Sequence, residues 1–143
     1  MSPLPKSLTL DLVTPDKPIV HEEVDEVQLP GWNGALGILP GHSPLLAMLR
    51  PGELWYRKGQ ERTYFVLDTG MAEVLPDKVT VLVRLADKPQ DIDVIQQEAD
   101  RQSAEGELLK AVNAEDAERA RVAMLTAMVK LRAAERVRMK RGI

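Results

Sequence analysis

A chain of 143 residues, 44% of them hydrophobic, can fill one core and a small appendage but not two large domains. It has no cysteine, which excludes disulfides, thiolate metal sites and cysteine nucleophiles together and makes a reducing compartment the simplest home. The net charge of −3 hides an asymmetry: residues 130–143 hold six basic side chains against one acid, a net +5, which leaves −8 on the rest. An acidic body is a poor nucleic-acid ligand, whereas a basic tip suits an acidic protein surface. Only Trp55-Tyr56 and Tyr64-Phe65 are adjacent among the five aromatics, so no base-stacking platform is expected and no nucleic-acid partner. No segment approaches the roughly 20 apolar residues of a membrane span, and Met1 to Lys6 lacks a signal-length apolar run. Membrane association is expected only through a partner.

The first elements alternate at period two. Leu8, Leu10 and Leu12 interleave with Thr9, Asp11 and Val13, and Pro15-Asp16-Lys17-Pro18 supplies a turn. A run led by Val20 continues through Glu22 to Leu29, with Val27 and Leu29 opposite Glu26 and Gln28. Further strands are expected at 36–39, 53–57, 62–67, 71–75 and 79–85, with turns at Lys58-Gly59-Gln60, Asp68-Thr69-Gly70 and Pro76-Asp77-Lys78. Regular short strands between Gly, Pro and Asp turns point to a mainly β sandwich of two packed antiparallel sheets.

After Asp87-Lys88-Pro89 the period becomes that of a helix. Ile92, Ile95, Ala99, Gly106 and Leu109 define one face, and Asp91 is the expected N-cap. Near Val112 the pattern breaks, and Asn113 with Asp116 forms a variant capping box for a second helix. Its apolar stripe is Ala117, Ala120, Ala123, Met124, Ala127, Met128, Leu131 and Ala134, ending near Gly142. The expected organisation is therefore a β domain over residues 1–88 and an antiparallel helical hairpin over 89–143. A helix of about 27 residues exceeds the roughly 12–15 at which isolated helices become tolerable in water, so this arm can survive undocked. Its Ala and Met stripe buries little area per residue, which makes docking reversible.

Chemistry-bearing constellations are absent. His21 and His42 lie in different strand and turn contexts with no further ligand, where zinc needs at least three. Gly31, Gly34 and Gly37 are spaced for turns and do not open a helix. Asp91 and Asp93 fall on different sides of a helix start, and Ser43 beside His42 has no orienting acid. Met124 and Met128 read as packing. No catalytic residue, metal or cofactor is expected.

The segment Gly34-Ala35-Leu36-Gly37-Ile38-Leu39-Pro40-Gly41-His42-Ser43-Pro44-Leu45 resembles the most recognisable motif of the epsilon subunit of F-type ATP synthases. Val13-Thr14-Pro15, Pro51-Gly52, Gly70 to Val74, Pro76 to Leu82 and Asp91-Ile92-Asp93 resemble further family segments in family order. The resemblance implies a sandwich followed by a hairpin in a non-catalytic rotor subunit linking the gamma shaft to the membrane ring. The enzyme, a rotary proton-translocating ATP synthase, is then the whole complex. The resemblance places the protein peripherally on the cytoplasmic side of a bacterial inner (plasma) membrane. Gly34, Ala35, Leu36, His42, Ser43 and Pro44 become ring-contact candidates, with Ala35 where the family often has glutamate. Gly34, Gly37 and Gly41 are expected to supply the loop's backbone freedom. Arg132, Arg136, Arg138, Lys140 and Arg141 become candidates for an inhibitory contact with an acidic segment of the catalytic beta subunit when the hairpin extends. The ATP motif of some members is partial: Ile92 and Asp93 are present, Gln96 and Gln97 replace the arginine region, and Thr126 and Lys130 stand at the second-helix arginine positions. ATP binding is not expected, since glutamine cannot neutralise phosphate. An ATP-sensing switch is the runner-up within the family. A freestanding β-sandwich binding module with a helical dimerisation tail is the competing class.

Overall fold

The computed structural model describes residues 4–140. Its strands are β1 (Leu8–Val13), β2 (Pro18–Val24), β3 (Glu26–Gly31), β4 (Gly34–Ile38), β5 (Leu45–Leu49), β6 (Gly52–Lys58), β7 (Glu61–Leu67), β8 (Gly70–Leu75), β9 (Lys78–Val83) and β10 (Ala86–Asp87). A 3-10 turn at Pro89–Asp91 leads into α1 (Val94–Lys110) and α2 (Ala114–Lys140). The chain divides into two compact units between Ala86 and Asp87.

Strand order is β10-β7-β6-β3-β5-β8-β9-β1-β2, with β4 added on β3. The path doubles over where β3 meets β5 at the register pair Gly31–Leu49, which makes two layers and the expected sandwich. The apolar side of each strand faces between the layers. Leu8, Leu10, Leu12, Leu29, Ile38, Leu49, Leu54 and Leu67 are completely buried there, and removing such a side chain from water contributes about 1.5–3 kcal/mol. The alternation of the first strand and of Val27 and Leu29 is the observed burial pattern. One pairing departs from the antiparallel expectation: β1 lies parallel to β9, from Thr9–Lys78 to Val13–Leu82.

The strand expected over 79–85 ends at Val83 and is followed by the unexpected short β10, and two larger differences from the sequence-based expectation concern β2–β3 and β5. The run from Val20 to Leu29 is broken at Asp25, whose N–H donates to the Arg57 carbonyl at 2.8 Å and whose carboxylate accepts from Gly59 N–H at 2.7 Å. These bonds turn the chain and free β3 to pair with β6. The second difference is β5, which the motif conceals: Leu45-Leu46-Ala47-Met48-Leu49 is apolar throughout and has no period to read. Ala47 and Leu49 point into the core, while Leu46 and Met48 face water.

In the helical unit, α1 and α2 pack along each other. The cap of α1 is Asp93, which accepts from Gln96 N–H at 3.1 Å, and not Asp91, which ends the 3-10 turn. Pro89 starts that turn, and the cap of the helix falls two residues after the expected one. The least exposed face of α1 runs through Gln97, Arg101, Ala104 and Leu108, whereas Ile95 and Leu109 are each 84% exposed, so the expected apolar face is rotated outward. A small side chain is what close packing requires here, and only Ala104 on α1 is buried. The Asn113 box is as expected: Asn113 Oδ1 accepts from Asp116 N–H at 2.8 Å, and its amide donates to the Asp116 carboxylate at 3.1 Å. On α2, Ala120 and Ala127 are buried as expected, Ala123 is exposed, and Ala133 joins the buried set. The expected helix end near Gly142 lies outside the described residues.

Candidate functional site

The six ring-contact candidates do not form one cluster. Gly34, Ala35 and Leu36 begin β4 just after the Trp32-Asn33 turn, while His42, Ser43 and Pro44 lie in the loop that follows its far end. The two ends of β4, Gly34 and Ile38, are about 13 Å apart at 3.3 Å per residue. The near group turns on Gly34, whose φ of 128° is costly for any side chain. The far loop turns on Gly41 at φ 88°, with its N–H bonded to the Pro76 carbonyl at 2.7 Å. Gly37 has no positive φ, and a Cβ added there would meet nothing within 4 Å, so the expectation that it supplies backbone freedom is corrected: it is an ordinary strand residue. His42 donates through Nδ1 to the Ser43 carbonyl at 2.6 Å, which stiffens the loop and leaves Ser43 and Pro44 exposed.

The register of the second layer builds a surface that periodicity along the chain does not show. Across its outer side, Met48, Met71, Leu82 and Val13 fall in one row. Next to it run Leu46, Glu73, Thr80, Asp11 and His21. The first row is apolar, with Leu82 48% and Met48 61% exposed. It joins Trp32, over which the Arg50 guanidinium sits 5.7 Å from the ring centroid, to line a cavity of about 620 Å³. Trp32 reaches this place because its N–H bonds the Met48 carbonyl at 3.1 Å. Without β5 the face cannot be assembled from sequence, and β5 carries no alternation to reveal it.

The second row is charged at its outer end. The Asp11 carboxylate pairs with the His21 ring and with Lys78 Nζ at 3.3 Å. The His21 hydrogen bond, opposed by burial and reinforced by Lys78, holds the Asp11 carboxyl below its ordinary value of 3.8. At the other end of the sheet, Asp68 is buried, accepts from Thr69 N–H at 2.7 Å and pairs with the exposed Arg84 guanidinium, tying the β7–β8 turn to the end of β9. Among the described residues no group of three or more His, Asp or Glu side chains is arranged to hold a metal ion. No helix among them is long and apolar enough to cross a membrane.

The three nucleotide-motif residues have structural roles within the helical unit. Asp93 caps α1, Ile92 is half-buried, and Lys130, only 14% exposed, pairs with Asp87 at 3.2 Å. Of the basic candidates, Arg132, Arg138 and Lys140 are exposed on α2 and Arg136 is half-buried; Arg141 lies outside the described residues.

Residues 7–89 match the family model for the ATP synthase delta/epsilon chain, beta-sandwich domain. The ATP synthase epsilon chain of Koribacter versatilis is 47% identical over 98 residues, 68% of this chain and 69% of that one. That of Syntrophobacter fumaroxidans is 40% identical over 131 residues, 92% of this chain and 98% of that one. The fold recurs in the Euglena gracilis mitochondrial ATP synthase structure (OSCP/F1/c-ring), with TM-score 0.80 at 22% identity over 93% of this chain and 84% of that one. It recurs also in the central stalk/c-ring structure of the Tetrahymena thermophila mitochondrial enzyme, with TM-score 0.65 at 19% identity over 89% and 96% of the two chains. The sandwich, the hairpin and sequence identity along nearly their whole length agree: the chain belongs to the ATP synthase epsilon family, whose members are accessory and not catalytic subunits.

Proposed function

We propose that this protein is a central-stalk rotor subunit that clasps the gamma shaft with its sandwich, links it to the membrane ring and so couples proton translocation to ATP synthesis in the assembled enzyme. The observation that carries the shaft contact is the outward apolar row Met48–Met71–Leu82 beside Trp32. In a chain with 29% charged residues, solvent-facing apolar side chains concentrated on one sheet face mark an interface. The charged row beside it gives the contact a polar rim of the kind that protein interfaces carry. The β3–β4 turn and the 39–44 loop, at opposite ends of β4, are the ring-facing candidates, with Gly34 to Leu36 and His42 to Pro44 as two separate contacts. On this reading the protein sits at the cytoplasmic side of a bacterial membrane, held there by the complex.

The hairpin is the regulatory part. Exposed Arg132, Arg138 and Lys140, with Arg136 and Arg141, give α2 a positive end that favours an acidic surface of the beta subunit, and such an encounter weakens with salt. Asp93 and Lys130 already have partners within the chain, which supports a brake that works without bound ATP. Reconstitution with gamma and the catalytic hexamer tests this. Full-length protein should lower ATP hydrolysis several-fold relative to a chain truncated after Lys88, and equal hydrolysis by the two rejects the brake.

A further inference from the structure

We infer that the Asp87–Lys130 ion pair is the latch that keeps α2 folded back along α1, and that its opening frees the basic end of the hairpin. The inference deepens the proposed brake and rests on that reading only for its consequence in the assembled enzyme. The geometry comes from the lengths of the two helices. Helix α1 has 17 residues and α2 has 27. Folded back through Ala111–Asn113, the first 17 residues of α2 match the length of α1 and end at Lys130. The remaining part, Leu131 to Lys140, overhangs by about 15 Å at 1.5 Å per residue. Lys130 therefore sits where the paired part of the hairpin stops and the basic part begins. Its ammonium meets the carboxylate of Asp87 at 3.2 Å, on the segment that precedes α1, and the 3-10 turn with buried Pro89 packs against the same helix.

Burial makes this pair different from the other ion pairs of the hairpin. Lys130 is 14% exposed, whereas Arg119 and Arg121, in pairs local to α2, are 72% and 58% exposed. Exposed pairs one turn apart stabilise their own helix slightly and hold nothing else. The Asp87–Lys130 pair joins residues 43 positions apart in sequence. It is also asymmetric: Asp87 is 43% exposed and stays solvated if unpaired, whereas Lys130, once parted from Asp87 in the closed form, is a cation held largely out of water. Neutralising Asp87 therefore penalises the closed form, and opening, which returns Lys130 to water, relieves the penalty. An acidic partner surface that offers Lys130 a carboxylate competes with Asp87 and shifts the hairpin toward the open form, since a ligand shifts populations by its differential affinity for the two states.

The absence of native cysteine permits a direct test. Spin labels at Gln90→Cys and Glu135→Cys, both exposed positions on the two sides of the latch, report the distance between the connecting segment and α2. The parent should show one short distance. Asp87→Asn should raise the long-distance population about five- to tenfold, as should Lys130→Asp, which sets two carboxylates against each other, while the reversed pair Asp87→Lys with Lys130→Asp should restore the short distance. An unchanged distribution in both single variants, or a reversed pair that remains as open as they are, overturns the latch. Far-UV circular dichroism of each variant keeps unfolding from being counted as opening. The assembled enzyme separates the two readings: Asp87→Asn should strengthen inhibition of hydrolysis. A changed distance with unchanged hydrolysis supports the latch and removes the brake.

Discussion

Asp11 shows how much a single position depends on strand register. In sequence it is one acid in an alternating strand; in the sheet it stands opposite His21 and beside the strand that carries Lys78. The His21 hydrogen bond, and after it Lys78, stabilise its charged form against the effect of burial, so its carboxyl is held below the ordinary value of 3.8 when folded. A depressed folded value adds stability above the unfolded value, and that stability is lost as pH falls through the folded one. Urea unfolding followed between about pH 5 and pH 2 should therefore show an acid-side loss that Asp11→Asn flattens. Equal slopes for the two proteins contradict the pairing. The partners are illegible in the sequence because cross-strand neighbours follow from register: His21 is 10 positions from Asp11, and Lys78 comes from the parallel strand that period alone does not reveal.

Among the elements, those whose local signals agree are legible and those where signals compete are not. Strand β1 combines alternation with a proline-bounded turn, and α2 combines alanine propensity with the Asn113 box; both can be read directly. Strand β5 is hydrophobic on both sides, with Leu46 and Met48 exposed on the outer face proposed above as an interface, so it lacks the alternation that marks a half-buried strand. Helix α1 differs in phase from its sequence pattern for a related reason: its strongest apolar residues, Ile95 and Leu109, point to water, and its packed face is Gln97, Arg101, Ala104 and Leu108. Its cap lies two residues beyond the expected one because Asp91 and Asp93 both suit the role and Pro89 decides between them. Asp93→Ala should lower the stability of the α1 turn by about 1 kcal/mol and speed amide exchange at Gln96, while Asp91→Ala should leave both nearly unchanged. The opposite ranking contradicts the cap assignment.

At the scale of the whole molecule, the change from period two to period 3.6 near Pro89 announces two parts, and the structure divides at Ala86 and Asp87. The residues of the hydrophobic core cluster all precede that division, so the sandwich has a core of its own. The motif leads to the family and to the loops around β4, but it cannot show that its two glycine turns lie at opposite ends of one strand. Nor can it expose the Met48–Met71–Leu82 row, which three different strands bring together. On that row rests the central claim, that the sandwich is a shaft-binding part of a rotor. The direct measurement is light scattering on size-exclusion chromatography of purified gamma mixed with this protein and with Leu82→Asp, a change at a 48%-exposed position that spares the core. A shaft-binding face predicts a one-to-one complex with the parent and at least tenfold weaker binding by the variant with its fold intact. A homodimer that ignores gamma, or a variant that binds as well as the parent, contradicts it.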